Sequence, residues 1–183
     1  MFIVAPARAE LPKPLATGLD RPSSVCVAAD GRVFVAMGLS PGHDNGPSFI
    51  HAISPNGQGD VTGTRRLWTS REVGRVVGTP IANDGLLYVG DLGGTVHCLD
   101  AATGAQLWKH ETDEPIWGSL LLAGDRLYVG NVAGTMTVLR AGRRKQVLAR
   151  IELDAPIYSA PAPAGDALYL ATAKRLYLIA AKP

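Results

Sequence analysis

The chain has 183 residues, enough for one domain with a proper core. An apolar fraction of 46% beside a charged fraction of 19% excludes a disordered chain. Eighteen basic residues against sixteen acidic ones leave +2, which gives no general attraction to nucleic acid, and no apolar run nears the roughly eighteen residues of a membrane span.

Residues 1–12 read as an N-terminal arm. Phe2–Ala5 is apolar but too short for the core of a signal peptide and has no basic segment before it, so no intact signal peptide is expected. Residues 13–19, KPLATGL, followed by Asp20-Arg21-Pro22-Ser23, match Val147–Leu153 and the Asp154-Ala155-Pro156-Ile157 that follows. A strand therefore stands alone at the N-terminus.

A first unit starts at Ser23 with SSVCVAADGRVFVAMG and continues with SFIHAIS from Ser48 and RRLWTSREV from Arg65. Its extra residues fall in two loops, Leu39–Pro47 and Pro55–Thr64. A second unit from Gly78 reads GTPIANDGLLYVGDLGGTVHCLDAATGAQLWKHET. A third from Gly118 reads GSLLLAGDRLYVGNVAGTMTVLRAGRRKQVLARIEL, and a fourth from Tyr158 reads YSAPAPAGDALYLATAKRLYLIAA. Tyr88, Tyr128 and Tyr169 recur at the same place, with Phe34 in the first unit; Thr79, Ser119 and Ser159 are matched at a period of forty.

Within each unit, period-two alternation marks strands, and Asp84-Gly85, Gly124-Asp125 and Gly165-Asp166 mark tight turns that need positive φ. Four antiparallel strands in about forty residues, repeated, predict an all-β chain that forms a β-propeller of four-stranded blades. The blades are expected at about 20–73, 74–113, 114–154 and 155–181, with 13–19 added to the last, so that 13–183 form one four-blade unit. The fourth unit ends one strand short, which leaves three arrangements open. The chain closes as a small four-bladed ring, pairs with a second copy as half of an eight-bladed ring, or is the C-terminal half of a longer polypeptide.

At Leu99–Trp108, LDAATGAQLW resembles the tryptophan-docking repeat of pyrroloquinoline-quinone-type propellers, with Asp100, Thr103, Gly104 and Trp108 matching. Gly allows the turn, Asp and Thr bond its backbone, and Trp packs on the neighbouring blade. The first unit keeps only Trp68, and the third has AGRRKQVLA instead. The chain is thereby similar to the PQQ-like repeat (quinoprotein alcohol dehydrogenase-like) family of bacterial propellers, and resembles the C-terminal half of a seven- or eight-bladed member. The resemblance implies periplasmic or cell-surface residence without implying quinone chemistry.

A quinoprotein site needs a catalytic Asp, a calcium held by carboxylates and amides and, in many members, adjacent cysteines. Cys26 and Cys98 are far apart, no acidic cluster suggests a calcium cage, and no catalytic motif appears. Neither PQQ nor calcium is therefore expected, and Cys26 and Cys98 read as buried free thiols. Arg75, Trp117 and Tyr158 precede innermost strands and are the candidate partner-binding residues at the channel mouth, with Glu114 and Asp154 as an acidic rim. His43 and Asp44, in the longest loop, are a second candidate contact. His97 and His110, with no partner near in sequence, read as structural.

The expectation is a non-enzymatic scaffold for protein–protein interaction or assembly, its partner a protein, a second copy included. The alternative is the ligand- or cofactor-binding portion of a periplasmic quinoprotein-like enzyme.

Overall fold

The computed structural model describes residues 22–37, 48–54, 56, 61 and 63–180. Lys13–Leu19, His43 and Asp44 lie outside them. Among the described residues there is no helix, and fifteen strands form four antiparallel sheets, each a meander in chain order.

Blade 1 holds β1 (Pro22–Val27), β2 (Val33–Met37), β3 (Phe49–Ile53) and β4 (Arg66–Ser70). Blade 2 holds β5 (Ile81–Asn83), β6 (Leu86–Gly90), β7 (Thr95–Asp100) and β8 (Gln106–Glu111). Blade 3 holds β9 (Leu121–Ala123), β10 (Arg126–Gly130), β11 (Thr135–Arg140) and β12 (Val147–Glu152). Blade 4 has three strands, β13 (Ala162–Ala164), β14 (Ala167–Ala171) and β15 (Leu176–Ala180). Asp84 at φ 48° and Gly85 at 71° make the β5–β6 turn, as an Asp-Gly pair should.

The first strand of each sheet is innermost. Thr79 N–H donates to Ser119 Oγ at 2.9 Å, and Ser24 Oγ donates to the Gly78 carbonyl at 3.0 Å, linking successive blades there. Pairing places Leu121 opposite Tyr128 and Ala162 opposite Tyr169. The mate of Ser119 in blade 4 is therefore Ala160; Ser159 matches Gly118, because the β11–β12 hairpin is one residue longer than the β7–β8 hairpin.

Alternation sends one set of side chains toward the following blade and the other toward the preceding one. Phe34, Ile50 and Ala52 of blade 1 meet Leu87, Val89 and Leu99 of blade 2. Tyr88, Val96 and Cys98 of blade 2 meet Leu127, Val129 and Leu139 of blade 3. The same register continues in Met136 and Tyr128 against Leu170. These mated faces are the core, and at about 25 cal/mol per Å² of apolar surface removed from water they hold the blades together.

The two end faces do not mate with each other. Tyr169, Leu176 and Leu178, repeat mates of Tyr88, Val96 and Cys98, are 40%, 69% and 60% exposed, and Val25 and Val27 of β1 are 55% and 62% exposed. The described residues thus form an open arc of blades, with the end faces of blades 1 and 4 apart. On blade 1, Val61 from the loop after β3 covers part of the end face by packing on Val35 and Ile53.

Candidate partner-binding site

The site is built on the connections that carry the chain from the outer strand of one blade to the inner strand of the next. Each connection is pinned beneath the β2–β3-type turn of a blade. Leu92 N–H donates to the Arg75 carbonyl at 2.7 Å, Val132 N–H to Pro115 at 3.0 Å, and Ala173 N–H to Pro156 at 2.8 Å. One residue on, Val76, Ile116 and Ile157 are fully buried anchors. Glycine makes room for two of them: a Cβ on Gly90 would lie 3.0 Å from Ile116 Cγ2, and one on Gly130 would collide with Ile157.

Extended backbone turns the following residue outward. Val77, Trp117 and Tyr158 consequently form a row, one per blade, 42%, 41% and 55% exposed. The Trp117 and Tyr158 rings meet edge to face, with centroids 6.5 Å apart and planes at 88°. This is an apolar rim whose aromatic members hold each other in place.

Arg75 is not the mate of Trp117 and Tyr158. Its carbonyl takes the place of Pro115 and Pro156, its side chain is half-buried, and Val77 completes the row. Asp154 does not contribute free charge to the rim: it accepts from Tyr177 Oη at 2.6 Å and pairs with Arg175 at 3.2 Å, contacts that hold its carboxyl below the usual range. Glu114 is exposed beside the row.

On the opposite edge of the blades, each indole is fastened to the next blade. Trp68 Nε1 donates to the Ala101 carbonyl at 3.1 Å and Trp108 Nε1 to the Gly142 carbonyl at 2.9 Å. The turn receiving Trp68 is built by Asp100, whose Oδ1 accepts from Ala102 N, Thr103 N and Thr103 Oγ1 at 3.0–3.2 Å. Arg143 lies 3.0 Å from Asp100 Oδ2 and, with those bonds, holds this carboxyl low. Asp100, Thr103 and Gly104 thus form the receiving turn for the tryptophan of the preceding blade, and Trp108 repeats the arrangement one blade on. The Tyr88 hydroxyl accepts from Gly142 N at 2.7 Å beside it.

His97 has a partner six residues back. Its Nε2 is 2.9 Å from Asp91 Oδ2, and both side chains are 5% exposed. Asp91 also accepts from Gly74 N at 3.0 Å and Thr95 N at 2.9 Å. Burial alone would raise the Asp91 carboxyl, but these donors hold it below its ordinary value. Asn131 takes the same place in blade 3, accepting from Thr135 N at 2.9 Å while its Nδ2 donates to the Thr112 carbonyl at 3.0 Å. The repetition marks a turn-closing role for both residues. Burial pushes the Cys98 thiol up to about 12 and the Cys26 thiol up to about 11.

The family described as outer membrane protein assembly factor BamB matches residues 50–182. Among solved structures, BamB from Moraxella catarrhalis is similar at a TM-score of 0.71 and 16% identity, over 88% of this chain and 47% of that one. The computationally designed Ika4 protein is similar at 0.72 and 14%, over 94% and 99% of the two chains. The designed Ika8 protein is similar at 0.67 and 15%, over 87% and 46%. The chain thus spans about half the length of BamB and of Ika8. At these identities the likeness is one of fold. No curated protein sequence matches the chain.

Proposed function

We infer function from one premise, that this chain belongs to the family of the outer membrane protein assembly factor BamB, and propose that it is a non-enzymatic β-propeller scaffold for protein–protein assembly. It works in the periplasm, without quinone or calcium, on proteins bound for the outer membrane. The observation that carries this reading is the rim of Val77, Trp117 and Tyr158. Apolar side chains held rigidly in a row at blade spacing suit an extended protein segment, and aromatic residues lose little conformational entropy on contact. The double variant Trp117→Ala with Tyr158→Ala keeps the buried anchors Ile116 and Ile157. It is expected to melt within about 3 °C of the parent, since exposed changes cost little, yet to fail to restore outer-membrane protein levels in cells lacking the parent chain. A photo-crosslinking residue at position 117 is expected to capture a partner that the same residue at the exposed Lys109 does not. Full restoration by the double variant would overturn the reading.

A second reading rests on the uncovered faces. Within the chain every forward face lies against a backward face, and those left over are Tyr169, Leu176 and Leu178 at one end and Val25 and Val27 at the other. A second copy joined head to tail completes a ring of BamB-like length, with Lys13–Leu19 of the partner supplying the fourth strand of blade 4 and Val61 yielding its place on blade 1. Light scattering should then give twice 19.2 kDa. Leu178→Asp and Val27→Asp should each give monomers. Their mixture should pair again, because it retains one unaltered joint. A parent chain that stays monomeric refutes this assembly.

A further inference from the structure

We propose that the gap between blades 3 and 4 is a socket for an aromatic side chain, indole above all, presented by a partner protein. The gap holds about 400 Å³, and its lining includes Arg126, Tyr128, Met136, Ile151, Leu168 and Ile179. A dry apolar cavity of about 150 Å³ is enough to take benzene.

The repeat itself says what belongs there. Between blades 1 and 2 the indole of Trp68 lies against Phe34, with ring centroids 5.7 Å apart. Between blades 2 and 3, Trp108 lies against Tyr88 at 6.0 Å and is buried. The register Ala52↔Trp68, Cys98↔Trp108 and Val138↔Ala149 makes Ala149 the third member of that series. Blade 3 therefore carries the tyrosine that backs the indole, Tyr128, but a methyl group in place of the indole. Blade 4 faces it with Pro163, Ala167, Leu168, Ile179 and Ala180, which leave the gap open.

A second part of the arrangement survives. Arg32, which precedes β2, donates from Nη1 to the same Ala101 carbonyl that receives the Trp68 indole N–H. Its repeat mate is Arg126, which opens β10 and lines the gap. The third interface thus combines an arginine placed like that of the first joint with a backing tyrosine placed like that of the second, where Leu86 stands at the arginine's position, and has no indole of its own. A guanidinium at the mouth of an apolar slot favours a π face over an aliphatic chain. The socket is on the turn edge, away from the Val77–Trp117–Tyr158 rim, so this site stands or falls apart from the proposed function.

N-acetyl-L-tryptophanamide is the probe, titrated into the full chain and followed by amide chemical shifts. Saturable binding in the millimolar range is expected, at least about tenfold tighter than N-acetyl-L-leucinamide. A tryptophan-containing tetrapeptide should bind no worse than the amide, as a side chain delivered by a protein requires. Arg126→Ala, an exposed change that leaves the core untouched, should weaken binding about three- to tenfold. Ala149→Trp should abolish it and raise the melting temperature by about 2–6 °C. Absence of saturable binding, or binding indifferent to Arg126→Ala and to Ala149→Trp, overturns the proposal.

Discussion

Replacing Gly104 by Ala tests the fastening of blade 1 to blade 2. Gly104 has φ +76°, and a Cβ there would lie 2.6 Å from Trp68 Cε3. Gly85, in the same blade, has φ +71° and nothing within 4 Å of the added carbon. Both substitutions incur the left-handed backbone penalty, about 1–2 kcal/mol. Only Gly104→Ala also forces the Trp68 ring off its seat. That strains the contact by about 1–3 kcal/mol and endangers the indole bond to the Ala101 carbonyl, about 1 kcal/mol more. The expected losses are about 1–2 kcal/mol for Gly85→Ala and about 3–6 kcal/mol for Gly104→Ala. Urea unfolding followed by far-ultraviolet circular dichroism and by tryptophan fluorescence measures both, and the fluorescence of Gly104→Ala should already differ without denaturant. Losses equal within about 0.5 kcal/mol would mean that Trp68 does not press on this turn.

Asp91→Asn puts an amide where two backbone donors converge. Asn131 shows that Oδ1 can still serve Thr95 N, but Nδ2 then faces the Gly74 N–H, so a loss of about 1–3 kcal/mol is expected near neutral pH. Because the folded Asp91 carboxyl lies below its ordinary value, its contribution is complete above about pH 4 and fades as pH falls through the folded value. The gap between parent and variant should shrink in acid, and a gap that widens there contradicts the assignment. With both thiols pushed far above neutrality by burial, Cys26 and Cys98 should label slowly at pH 8 and both react at once in denaturant. Overnight dialysis against EDTA should leave the melting temperature within about 1 °C, and a drop of several degrees would point to a structural metal.

The blade pattern is legible in the sequence because it is written locally. Alternation, Asp-Gly turns and a tyrosine every forty residues fix strands and pairing without long-range information. Faces follow from the same alternation, so Phe34 and Tyr88 can be matched from the residue order alone. The rim is only half legible. Trp117 and Tyr158 stand out as aromatics, whereas Val77 does not, and counting back from β5 selects Arg75 because the pinning bond from Leu92 leaves no trace in the residue order. The His97–Asp91 pair escapes a search for partners along the strand, since the turn at Asp91–Gly94 folds position 91 back onto β7. The socket is legible in part: aligning Ala149 with Trp108 shows a missing indole, but whether neighbours fill the gap depends on how Pro163, Leu168 and Ile179 of blade 4 pack against blade 3.

The indole fastenings give the arc a mechanical polarity. Trp68 bolts blade 1 to blade 2 and Trp108 bolts blade 2 to blade 3, and each of those joints buries ten core residues. Among the described residues, the joint to blade 4 has no bolt and buries three. Tension applied from the C-terminal end meets the weak joint first and peels blade 4 away as a unit. Tension from the other end must first break a bolted joint. A molecular motor or protease that threads the chain should therefore work more readily from its last blade backward.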